Sequence, residues 1–107
     1  MGSTSSIDAT FWDHVAPLLA SGGAEEGTMM GERCLRVKGA FLAKPHHVDG
    51  ALVVKLPKDR VAGLIREGRG EAFVPHGRAL KEWVHIRVYD AALWDQLLAE
   101  GQEFVTR

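Results

Sequence analysis

The sequence contains a single cysteine, Cys34, so it can form no internal disulfide, and a disulfide-stapled scaffold is excluded. It has no apolar run near the roughly 18 residues a membrane-spanning helix needs, which predicts no membrane partner. Met1 to Ser6 is small and polar, without the basic start and apolar stretch of a signal peptide. That start and the lone cysteine together predict a cytoplasmic location. There is no internal repeat and no low-complexity segment beyond the first six residues. G-x-G-x-x-G, the P-loop, C-x-x-C and H-x-x-x-H are all missing. The net charge of −1 argues against wholesale nucleic-acid affinity.

What is present is an ordinary globular mix, 46% hydrophobic and 25% charged, in 107 residues. That length predicts one domain, residues 7 to 107, behind a flexible N-terminus at residues 1 to 6. The charge is unevenly placed. Residues 33 to 87 hold twelve Lys and Arg against five Asp and Glu, a surplus of seven positive charges. The rest of the chain holds nine acids and only Arg107. Such a basic middle either meets the acidic ends in space or faces an anionic partner.

Periodicity gives the elements. Phe11, Val15, Leu18 and Leu19 recur at helical spacing within Ile7 to Ala20, with Ser5 or Ser6 as cap. Pro17 predicts a kink there or an end near Val15. Strands are expected at Thr28 to Gly31, Cys34 to Lys38, Ala40 to Lys44 and Ala51 to Leu56, joined by short links and therefore antiparallel. Leu35, Val37, Leu52, Val54 and Leu56 point inward in this reading. Pro57 opens a second helix with a stripe of Val61, Leu64 and Ile65. Ala72 to Val74 is a possible edge strand, and Trp83 to Val88 the last strand, with Val84, Ile86 and Val88 inward. Asp90 caps a final helix to about Val105, where Gly101 is a local weakness. The order α-β-β-β-β-α-(β)-β-α predicts an α+β fold of two layers, an antiparallel sheet of about five strands with three helices.

The outward strand positions then collect Arg36, Lys38, Lys55, His85, Arg87 and Trp83 on one face, with Lys44 a further candidate. Cations beside an indole suit a polyanion or single-stranded nucleic acid, which predicts phosphate contacts from Arg36, Lys38, Lys55 and Arg87 with Trp83 stacking. The loop Pro75 to Lys81 adds Arg78 and Lys81 around a glycine. Alternatively, Trp83, Leu42 and Val53 mark a homodimer or protein-partner interface. The five histidines do not converge by spacing, so no metal site is expected. Neither Cys34 nor any acid/base pair supplies a catalytic set, and no cofactor is implied.

Several segments resemble a known group. Met29-Met30-Gly31, Val37-Lys38-Gly39 with Phe41, Val53-Val54-Lys55-Leu56-Pro57, Phe73, Gly77-Arg78 and Lys81-Glu82-Trp83-Val84 are similar to the TfoX N-terminal-domain-like and MmcQ/YjbR-like small bacterial proteins. The likeness spans about residues 28 to 105, and its most specific parts are the K-L-P step and the K-E-W-V strand. It departs at Met30, where the family usually has Phe, and at His46-His47, where a hairpin loop is lengthened. The resemblance implies an α+β fold, no catalytic residue set, and either competence regulation or DNA binding.

Overall fold

The computed structural model describes residues 7 to 107, so the expected flexible segment at 1 to 6 and the caps Ser5 and Ser6 lie outside the described residues. The elements are α1 (Ala9–Ala20), β1 (Glu25–Met29), β2 (Glu32–Val37), β3 (Ala40–Pro45), β4 (Leu52–Lys55), α2 (Lys58–Arg66), β5 (Glu71–Ala72), β6 (Trp83–Ile86) and α3 (Ala91–Val105). The fold is α+β. The sheet has six strands in the order β1-β2-β3-β4-β6-β5, one more than the five expected, and every pairing is antiparallel. No helix among the described residues is long and apolar enough to cross a membrane.

Turn chemistry sets the first three strands. Met30-Gly31 and Lys38-Gly39 each place two consecutive residues at positive φ, 53° and 82°, then 52° and 85°. That is the two-residue hairpin geometry whose twist matches the flanking strands. Between Leu35 and Arg36 the β2–β3 register shifts, so Leu42 is the extra residue of a bulge. Leu42 and its neighbour Ala43 both enter the core, which simple alternation does not give.

All three helices pack on one sheet face. Phe11 and Val15 of α1, Val61 and Leu64 of α2, and Trp94, Leu97 and Leu98 of α3 close over Leu35, Leu42, Leu52, Val54, Val84 and Ile86. Helix α1 runs through Pro17 and does not stop near Val15, and its N-cap residue is Asp8. The Asp8 carboxylate accepts a bond from Trp12 Nε1 at 3.0 Å. Gly22 at φ 80° and the Gly23 N–H donating to Leu18 O at 3.0 Å then end the helix. Two inward assignments are corrected. Ile65 faces out of the α2 stripe, and Val88 is exposed because β6 ends at Ile86.

Candidate functional site

The second sheet face is where the basic residues project, and it is only partly open. The segment 73 to 82 folds back across it. Leu80 N–H donates to Phe73 O at 3.0 Å and Trp83 N–H to Leu80 O at 3.1 Å. This pins Phe73 and Leu80 over Val53 and Trp83, with Met29 and Phe41 at the margin. Trp83 is therefore 6% exposed, and the expected stacking platform is corrected: the indole is a packed residue of a second small core. Val53 belongs to the same small core, and Leu42 to the main one, so neither marks an open interface.

One end of this face is cationic. Arg36 pairs with Phe41 across β2–β3, and Lys55 with Trp83 across β4–β6. In an antiparallel sheet these positions and the Lys38 turn fall at the same end. The Arg36 guanidinium lies 4.5 Å from the Phe41 ring centroid and donates to Thr28 O at 3.0 Å, while its Nε has no partner. The Lys55 ammonium lies 5.8 Å from the Trp83 ring. Arg78 and Lys81 line a shallow hollow with Trp83. Among the described residues, none of these five cations is ion-paired, whereas Arg33, Lys44 and Arg87 are taken up by Glu26, Glu32 and Glu71.

Two expected members separate from that group. Lys44 is buried, with its ammonium on Glu32 and near the Phe73 ring. Arg87 follows β6 at the opposite end. It donates to Glu71 at 2.9 Å and approaches Asp49 at 3.8 Å, so its charge is already compensated.

That opposite end holds an arrangement the sequence reading missed. The β3–β4 loop carries His46 and Asp49, and the β4–β6 pairing sets His85 beside Val53. His85 Nε2 lies 3.1 and 3.0 Å from the two Asp49 oxygens. The His46 ring stacks on His85 at 4.0 Å and 7°, and on His47 at 4.6 Å. Asp49 is fixed by the Ala51 N–H at 2.9 Å, and Gly50 closes the loop at φ 70°. Burial pushes the Asp49 carboxyl up, but the Ala51 N–H and the bond and charge of His85 outweigh it and hold it below its ordinary range. Burial and the neighbouring His85 push His46 down. The expectation that the histidines stay apart is thus corrected, because strand pairing joins residues 36 apart. The one signal available was the Asp49-Gly50 turn one residue after His46-His47.

Cys34 is buried opposite Gly27, out of reach of solvent. Comparison with known protein families, characterised proteins and solved structures finds no match to this chain.

Proposed function

We propose that the chain is a non-enzymatic regulatory or nucleic-acid-binding module whose contact surface is the cationic end of the second sheet face. The observation that carries this is the set Arg36, Lys38, Lys55, Arg78 and Lys81, without ion-pair partners among the described residues while other cations of the sheet have them. Cations held at a sheet end, with no ion pair to break, are available to phosphate oxygens. Trp83 supports the surface from beneath by backing Lys55 and is not a stacking partner. The resemblance of the K-L-P step and the K-E-W-V strand to YjbR-like proteins points the same way.

A fluorescence titration with short single-stranded and duplex oligonucleotides tests the reading. Binding should weaken with salt, with a log–log slope of about 0.7 to 0.9 per phosphate neutralised. Absence of binding at low salt removes it. A second reading, a protein-interaction or homodimer module, draws on the apolar groove of about 290 Å³ between α2 and the 79 to 83 segment, lined by Val61, Ile65, Leu80 and Trp83. Light scattering that gives a stable dimer would favour it.

A further inference from the structure

The histidine end of the second face has a donor set that the cationic end does not need. The ligating atoms of His46, Asp49 and His85 all lie within 4.8 Å of one another. Asp49 Oδ1 is 3.1 Å from His85 Nε2 and 3.8 Å from His46 Nδ1. A tetrahedral ion with ligands near 2.0 to 2.1 Å sets its donors about 3.3 Å apart. Asp49 therefore already stands near that spacing from both rings, and the two ring nitrogens are within 4.8 Å of each other. The main chain that carries them is closed by His46 N–H to Ala51 O and Gly50 N–H to His46 O, both at 2.8 Å. A second carboxylate, outside that group of three, is linked to it through Arg87. Glu71 is the cross-strand partner of His85, and Arg87 donates to it at 2.9 Å while lying 3.8 Å from Asp49. The Arg87 guanidinium thus sits between two carboxylates beside two imidazoles, as a tethered cation. Its side chain is exposed, so solvent can receive it when an ion takes its place.

We propose that His46, Asp49 and His85, with Glu71 as the fourth donor, bind a divalent transition metal of the zinc class that takes the place of the Arg87 guanidinium. Two imidazoles with carboxylates suit zinc, cobalt or nickel, whereas magnesium and calcium prefer oxygen alone. An ion shared by both rings must lie in the plane of each. The parallel His46–His85 stack therefore opens on binding, and His46 Nδ1 gives up the Val48 N–H it now accepts at 3.1 Å. His46 is the ring that turns, because it stands on a loop while His85 is buried in a strand.

The test is a titration of the full, untagged chain with Zn²⁺ by calorimetry and with Co²⁺ by visible absorption. One ion per chain should bind, released by chelator, and Co²⁺ should show tetrahedral ligand-field bands. His46→Ala and His85→Ala should each weaken binding by at least about tenfold. His47→Ala should leave it unchanged, and Arg87→Gln should tighten it. Should His85→Ala fail to fold, the loop variant His46→Ala and the surface variant Arg87→Gln still decide the matter. No saturable binding, equal weakening by His47→Ala, or no tightening in Arg87→Gln overturns the proposal.

Discussion

The buried imidazole of His85 meets both carboxylate oxygens of Asp49, at 3.1 and 3.0 Å, tying strand β6 to the turn before β4. The pair holds the β3–β4 loop against the sheet, since Asp49 also accepts the Ala51 N–H. Asp49→Ala leaves a buried ring nitrogen unsatisfied and should cost about 1–3 kcal/mol. Asp49→Asn keeps an oxygen for both donors and should cost less. Urea unfolding midpoints of the two variants check this ordering; equal losses would show that the hydrogen bonds to Asp49 carry none of the stability.

Lys44 and Glu32 form a second tie, between β3 and β2, in which the ammonium is buried and the carboxylate half-exposed. The hydrogen bond from Lys44 outweighs burial and holds the Glu32 carboxyl below its ordinary value of 4.5. A carboxyl depressed in the folded state stabilises the fold above its unfolded value, and that contribution is lost as pH falls through the folded value. Thermal stability should therefore fall below pH 4.5, and Glu32→Gln should flatten part of that acid limb. Glu26, which Arg33 depresses, and Asp49, held down by the Ala51 N–H and His85, contribute in the same direction. Lys44→Met removes the buried charge together with its need for a partner, so it should cost less than Glu32→Ala, which strands the ammonium.

These ties show where the sequence was legible and where it was not. Period-two alternation found Leu52, Val54 and Leu56, all fully buried, and Asp90 was readable as a cap that accepts the Leu93 N–H at 3.1 Å. Both signals are local. The burial of Trp83 depends on segment 73 to 82 crossing the sheet, and that segment has no periodicity to announce it. His85 meets Asp49 only because β6 pairs with β4 after the intervening α2 and β5, so no spacing rule reaches it. The Leu42 bulge shifts alternation by one residue within β3, which also placed Lys44 ambiguously.

Gly101 gives a case where local propensity and packing oppose each other. As a helix residue it is worth about 1 kcal/mol less than alanine. Yet a Cβ at this position would lie 2.8 Å from Leu42 Cδ1 and 2.9 Å from Lys55 O, because α3 presses its backbone onto the sheet there. The Lys55 carbonyl is main chain and cannot step aside without moving β4. Gly101→Ala should therefore destabilise by about 1–3 kcal/mol, net of the gain in propensity. A chemical denaturation curve checks the sign, and a stabilised variant would mean that α3 can lift away from β4 at no cost.

Trp83 and the cations around it separate two ways of holding an anionic strand. If the indole stacked on bases, Trp83→Phe would change affinity directly. Here it is covered by Phe73 and Leu80, and its role is to fill the small core beneath Lys55. Trp83→Phe should then leave oligonucleotide affinity nearly unchanged, while Trp83→Ala should cost about 3–5 kcal/mol of stability. The charge variants should divide by position. Lys55→Gln, Lys81→Gln and Lys38→Gln should each weaken binding and lower the salt slope by about one. Arg87→Gln should change neither, because its guanidinium is already committed to Glu71 and Asp49 at the far end of the sheet. Anisotropy titrations over a salt series measure both quantities at once, and an Arg87 variant that weakened binding as much as Lys55→Gln would place the contact surface over the whole face instead of its cationic end.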